Sequence, residues 1–372
     1  MSGESISLSE KRAPEVLVAS SRYQGAFDEV PERLNRLRED LGCHAAGLPI
    51  IVYHGVQSAE LADIEVCVPV VKPLNGRDPR CRVLEGGPML CAVSRAPGGL
   101  CGVPKTRVPA WDAMYDFIGR NLIGLAEGPD REVCLEVVEG ISDATREART
   151  PPYLTELQIP LLMGRWLERL AAGIDRYAGR AVRKKIMEAC ETIGLHSTPR
   201  ERAEWASRAI ERLDAMVKDE CARRDIMMGC AHVFPQERID LLRAEYEKHH
   251  DIDRLLEYMA ADQSVGGCSY YGIQRREGNV VYERKLPCNR RGYEEAEDET
   301  ERYFHSCCCP IVKEAIRSGI PLSPTFCHCG GGWFRRLWEG ITGRPVRIEL
   351  VKSFLTGHDA CEFAVHLPRG DE

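Results

Sequence analysis

Asp63-Ile64-Glu65-Val66-Cys67-Val68-Pro69-Val70 sets apolar Ile64, Val66 and Val68 against Glu65, Cys67 and Pro69, the two-residue period of a β-strand. Upstream, Pro49 to His54 reads as another strand. Ala26 to Leu41 carries Phe27, Val30, Leu34, Leu37 and Leu41 at spacings of three or four, the pattern of an amphipathic helix. Val16-Leu17-Val18-Ala19 marks a strand within Ala13 to Tyr23. Strand, helix, strand and strand form one unit, and a second copy follows. In it Cys81 to Leu84 and Met89 to Ser94 read as strands, Val108 to Leu125 as a helix and Arg131 to Val138 as a closing strand. Two such halves predict a pseudo-twofold α+β domain with a cleft between them.

Glu65 and Glu132 each interrupt an apolar strand. A carboxylate there is costly to bury unless a cation, a hydrogen-bond donor or a raised pKa compensates it, which makes both candidate pocket residues. The competing reading puts them on the solvent face of half-buried strands. Trp111 and Tyr115 stand one helical turn apart, suited either to lining the cleft or to the core.

The chain has 372 residues, more than a single core ordinarily serves, so two domains are expected. Met1 to Glu10 is polar, and no apolar run is long enough to span a membrane. The chain therefore reads as soluble, not exported and cytoplasmic, without membrane contact. In that setting its 17 cysteines should stay reduced, which favours metal binding, reactivity or plain burial over disulfides. A net charge of -7 gives no footprint for nucleic acid.

The phrase Asp63 to Val70, the Gly98-Gly99 turn, the helix bearing Trp111 and Tyr115, and Gly128-Pro129-Asp130-Arg131-Glu132-Val133 together resemble the gyrase-inhibitor-like (GyrI-like) domain. That domain also serves as the effector-binding module of AraC- and MerR-type multidrug regulators. The resemblance covers about residues 13 to 138. It implies an aromatic-lined pocket with a buried acid that meets cationic or electrophilic ligands. Glu132 matches the acidic position, with Glu65 as its expected counterpart in the first half. Cys134 stands where family members often carry an aromatic residue. Only about a dozen residues precede the first strand, so the expected likeness is to standalone members that sequester drugs or hydrolyse strained electrophiles.

The expected organisation is a GyrI-like domain over 1–139, a linker over 140–153 ending in Pro151-Pro152, and a helical, cysteine-rich α+β domain over 154–372. Leu154 to Tyr258 reads as almost entirely helical, with an N-cap expected at Ser197-Thr198-Pro199. Ser269 to Ile273 and Val280 to Lys285 form an expected hairpin, and Val346 to Phe354 and Cys361 to Leu367 the closing strands. Gly357-His358-Asp359-Ala360-Cys361-Glu362-Phe363-Ala364-Val365 resembles the ending of 4-vinyl reductase-type domains and thiazoline-carboxylate hydrolase-like proteins. This second resemblance implies small-molecule binding and a metal or thiol role for the cysteines.

Five cysteines crowd into Cys307-Cys308-Cys309 and Cys327-His328-Cys329, the latter followed by Gly330, Gly331 and Gly332, expected to form a tight turn. If both segments are extended, Cys307, Cys309, Cys327 and Cys329 can present four thiolates to one tetrahedral ion, with zinc the candidate cofactor and Cys308 facing away. Without a metal, helix N-termini would lower the thiol pKa values and yield a reactive site, and a buried thiol cluster is the remaining alternative. The favoured function is binding and neutralising a hydrophobic or electrophilic small molecule at Glu65, Trp111, Tyr115 and Glu132. The alternatives are a hydrolase, with Glu132 activating water as the catalytic base or with cluster thiolates as nucleophiles, and a ligand or redox sensor acting through a protein partner or as a homodimer.

Overall fold

Strand β4 (Ala62–Pro69) is buried on both faces, Glu65 included, because it lies inside a broad antiparallel sheet. A computed structural model of the protein describes residues 6–56, 58, 60–72, 80–96, 104–135, 153–264 and 269–368. It divides into two units, Met1–Gly164 and Arg165–Glu372. Both are mixed α and β.

In the first unit, β1 (Leu8–Ala13), β2 (Val16–Gly25), β3 (Ile50–Val56), β4, β5 (Cys81–Leu84), β6 (Gly87–Ala96), β7 (Asp130–Cys134) and β8 (Tyr153–Pro160) form one sheet in the order β1-β6-β8-β7-β3-β4-β2-β5. Helix α1 (Val30–Leu41) lays Val30, Leu34, Leu37 and Leu41 on it, against Ile51, Ile64, Val66 and Val68. Helix α2 (Pro104–Arg120) belongs to the second half.

Strand β8 corrects the expected helical start at residue 154. Leu157 and Ile159 are buried on one side and Glu156 and Gln158 on the other, a strand period masked by the helical stripe that follows. Because β8 bonds to both β6 and β7, the chain leaves the first unit at Gly164, beyond the expected boundary at 139. Of the expected linker only Tyr153, the first residue of β8, falls among the described residues, and the Gly98-Gly99 turn lies outside them.

The second unit opens with helices α3 (Leu162–Ala178), α4 (Arg180–Ile186), α5 (Pro199–Met216), α6 (Glu220–Gly229), α7 (Gln236–His249) and α8 (Ile252–Ala260). Thr198 caps α5 as its sequence predicts, accepting from Glu201 N at 3.2 Å while Glu201 Oε2 accepts from Thr198 N at 2.7 Å. The hairpin β9 (Ile273–Glu277) and β10 (Val280–Arg284) turns at Gly278, with φ +57°. Helices α9 (Arg290–Glu295), α10 (Glu299–Ser306), α11 (Pro310–Ser318) and α12 (His328–Thr342) follow, and β11 (Arg347–Lys352) and β12 (Glu362–His366) complete a sheet of order β11-β12-β10-β9. Among the described residues no helix is long and apolar enough to cross a membrane.

Gly330, Gly331 and Gly332 are helical, not a turn before a helix. The reason is proximity: a Cβ on Gly332 would lie 2.0 Å from the Met228 carbonyl oxygen, so α12 approaches α6 backbone to backbone. That approach seats Phe334, Leu337, Trp338 and Ile341 in the core with Phe234, Val281, Ile348 and Phe363. Within this core Glu283 is fully buried, its oxygens accepting from Trp338 Nε1 at 2.6 Å and Gln274 Nε2 at 3.0 Å. Burial outweighs those bonds and raises its pKa from 4.5 to about 7.

Two outcomes follow. A fragment of residues 1–164 should unfold cooperatively in a thermal circular-dichroism scan, whereas 1–139, lacking the strand between β6 and β7, should show no such transition; equal behaviour would contradict the role given to β8. For Glu283, the native chain holds a proton between pH 4.5 and about 7 that the unfolded chain releases. This contribution is therefore complete below pH 4.5, declines as pH rises to about 7 and is flat above, a change on the order of 3 kcal/mol. Four of the five tryptophans lie in the second unit, so tryptophan fluorescence reads its melting. Glu283→Gln should flatten the fall in midpoint from pH 5 to pH 7, and an unchanged slope in the variant would refute the assignment.

Candidate functional site

Register fixes which side chains share a face of the first sheet. Glu132 of β7 stands opposite Ile51 of β3 and Leu157 of β8, and Ile51 stands opposite Val66 of β4. Directly opposed residues point the same way, so Glu132 lies on the helix-covered face with Ile51, Val66 and Leu157. Glu65 opposes Val52 and Arg22 and lies on the other face. The two acids expected to share a pocket are thus separated by the sheet.

On the helix side, Glu132 is fully buried. Tyr53, in the middle of β3, donates its hydroxyl to Glu132 Oε2 at 2.9 Å. The Tyr53 ring meets Trp111 edge-on at 6.1 Å and Phe27 at 5.9 Å, which brings one residue of each half's helical layer to the acid. Trp111 is half-buried. Tyr115 is 45% exposed and donates to the carboxylate of Asp130, which opposes Tyr53 in register. Burial raises the Asp130 pKa against the lowering effect of that bond. Of the expected quartet, the structure brings Trp111 and Glu132 together through Tyr53, holds Tyr115 on neighbouring Asp130 and removes Glu65. Tyr53 and Asp130 were not singled out in the sequence; their signal is the register itself, since each becomes a neighbour of Glu132 only once β3 and β7 are paired.

The pairing also shows what Glu65 does. Val66 pairs with Ser21 and Ile51, and Leu157 with Ala92 and Glu132, while β2 and β6 are each 10 residues long. Matching the halves by these pairs makes Glu156 the counterpart of Glu65 and Ile51 that of Glu132. On the edge strands, Arg82 opposes Val18 and Lys11 opposes Met89, three residues before Ser21 and Ala92 respectively. Arg82 forks onto Glu65, with Nε 2.7 Å from Oε1, and Lys11 pairs with Glu156. The same ion pair is therefore built twice. His54 Nε2 lies 2.9 Å from Glu65 Oε2 as well. Burial would raise the Glu65 pKa, but the bonds from His54 and Arg82 hold it far below the usual carboxylate range. Glu65 is a strut of the sheet, not the counterpart of the buried acid.

The thiol segments differ from one another. Cys307 and Cys309 lie in extended backbone, with Cys307 buried and Cys308 exposed. Cys327 ends a 3-10 turn, Pro324–Cys327, and Cys329 lies in the first turn of α12. On helical backbone, residues two apart diverge by about 200°, so this pair does not share a direction as an extended pair would. Cys327 lies by Ser353 and Cys329 by Trp166. Among the described residues no group of three or more His, Cys, Asp or Glu is arranged to hold a metal ion, although Cys307, Cys309, Cys327 and Cys329, the expected zinc tetrad, act electrostatically on one another. Burial raises the pKa of all four, Cys329 to about 12, and so outweighs the helix termini expected to lower them. Cys288, outside the expected set, goes the other way: the hydrogen bond from Cys308, opposed by burial and aided by Lys313 and Lys285, lowers it to about 6.

No family model and no curated protein matches the chain. Several solved structures resemble it locally. The C-terminal domain of EcmrR is 16% identical, with 42% of this chain and 98% of that one covered at a TM-score of 0.34. SAV2435 bound to tetraphenylphosphonium is 13% identical, with 42% and 93% covered at 0.28. A hydrolase from Listeria innocua is 11% identical, with 41% and 91% covered at 0.26. Against EcmrR in its complex with DNA, where the identity is again 16%, this chain spans 57% of the other's length at a TM-score of 0.34.

Proposed function

We propose that the first unit binds and sequesters a small lipophilic cation, with Glu132 as its counter-charge and Tyr53, Trp111 and Phe27 as its aromatic walls. The observation that carries this is the fully buried Glu132 carboxylate, reached by the Tyr53 hydroxyl at 2.9 Å and flanked in register by Ile51, Val66 and Leu157, with Asp130 two residues before it on the same face. An acid in apolar surroundings attracts a delocalised cation more strongly than the same acid in water, because little solvent screens it. Aromatic rings add cation–π attraction without requiring a directional donor from the ligand. Glu65 and Glu156 are already matched to Arg82 and Lys11, which leaves them to the architecture of the sheet.

The reading is tested with tetraphenylphosphonium as the probe in equilibrium dialysis. Saturable binding at one site per chain is expected, weakened at least tenfold by Glu132→Gln and less by Tyr53→Phe, with Glu65→Gln acting on the melting temperature instead. Equal affinity in wild type and Glu132→Gln would overturn it. Consumption of an excess of an uncharged strained electrophile, lost in Glu132→Gln, would replace sequestration by hydrolysis.

A further inference from the structure

Several thiols of the second unit are buried, but Cys288 and Cys308 are both exposed, and each acts electrostatically on the other. Their juxtaposition is built by the backbone. Cys288 N donates to Ser306 O at 3.2 Å and Asn289 N to His305 O at 2.9 Å, which lays the segment before α9 alongside the end of α10. Asn289 then caps α9, its Oδ1 accepting from Gly292 N at 3.0 Å. Gly292 is what permits the approach, since a Cβ there would stand 2.4 Å from His305 Nδ1. Cys308 lies two residues before Pro310, the first residue of α11. Lys313 and Lys285 place two ammonium groups close enough to act on Cys288. Cys307, the covalent neighbour of Cys308, is buried.

We propose that Cys288 and Cys308 form a peroxide-reactive dithiol site, with Cys288 as the attacking sulfur and Cys308 as the resolving one. In the first step the Cys288 thiolate attacks one oxygen of hydrogen peroxide. An S–O bond forms, the O–O bond breaks, and the departing hydroxide takes up a proton as water, leaving Cys288 as a sulfenic acid. In the second, Cys308 Sγ attacks the Cys288 sulfur. An S–S bond forms, the S–O bond breaks, and the hydroxide released takes the Cys308 proton as a second water. The two thiols are oxidised to a disulfide, and one peroxide is reduced to two waters. The lysines favour the anionic attacking sulfur, and exposure admits the oxidant. The disulfide would tie the segment before α9 to the segment before α11, and dithiothreitol should release it.

The test uses the full-length protein. After treatment with a few equivalents of hydrogen peroxide and blocking of the remaining thiols with N-ethylmaleimide, peptide mass spectrometry should find Cys288 linked to Cys308 and both alkylated after reduction with dithiothreitol. In Cys308→Ser the disulfide should be absent and dimedone should label Cys288. In Cys288→Ser neither the disulfide nor a dimedone adduct on Cys308 should form. Wild-type protein with both residues still alkylated after peroxide, or with Cys308 linked to another cysteine, overturns the proposal. That mapping decides by itself if either variant fails to fold.

Discussion

The first unit depends on β8 lying between β6 and β7. Without it, β1 and β6 would have no hydrogen-bonded connection to the other five strands, since β6 reaches β7 only through β8. The same strand gives Glu132 its apolar neighbour Leu157, and Gln158 takes the Arg131 guanidinium at 2.6 Å on the opposite face. Completing the second half of the sheet and flanking the buried acid are therefore one structural event. A chain that reaches this strand only after a long intervening segment must close a large loop before any of these contacts stabilise it.

In the second unit the corresponding constraint is the glycine face of α12. Glycine in a helix interior is unfavourable by about 1 kcal/mol relative to alanine. Here the cost is offset by packing, because a side chain at Gly332 would collide with the α6 backbone and one at Gly331 would lie 3.1 Å from both Ile348 and Met228. The close approach brings an apolar helix face into the core. Starting α12 at His328 puts Cys329 on helical backbone and turns it away from the direction of Cys327.

Much of this fold was legible in the residues. The period of α1, the alternation of β4, the capping box at Thr198 and the strand β10 are local signals, each obeyed locally in the structure, whereas the first hairpin strand, expected at Ser269 to Ile273, lies at Ile273–Glu277. What could not be read depends on pairing. Leu157 and Ile159 carry a strand period, but only partners on both sides distinguish that strand from the start of the helix behind it. The triple glycine reads as a turn because glycine favours turns, and only the Met228 backbone explains its place in a helix. Glu65 and Glu132 look alike along the chain, whereas register puts them on opposite faces. Cys288 carried no sequence signal beyond its neighbour Asn289, because its partner lies 20 positions away.

Repetition and its failure then explain why Glu65 does not share a face with Glu132. The halves repeat where the sheet needs support: Glu65 with Arg82 and Glu156 with Lys11 occupy matching positions and cancel charge on the face away from the helices. They differ at the centre of the helix-covered face, since the counterpart of Glu132 is Ile51. A second carboxylate at Ile51 would stand directly opposite Glu132, at the 4.5 to 5.5 Å separation of cross-strand pairs, and the two charges would repel in a setting with little water. At the centre of the pseudo-twofold Glu132 therefore faces an aliphatic side chain and not a second carboxylate.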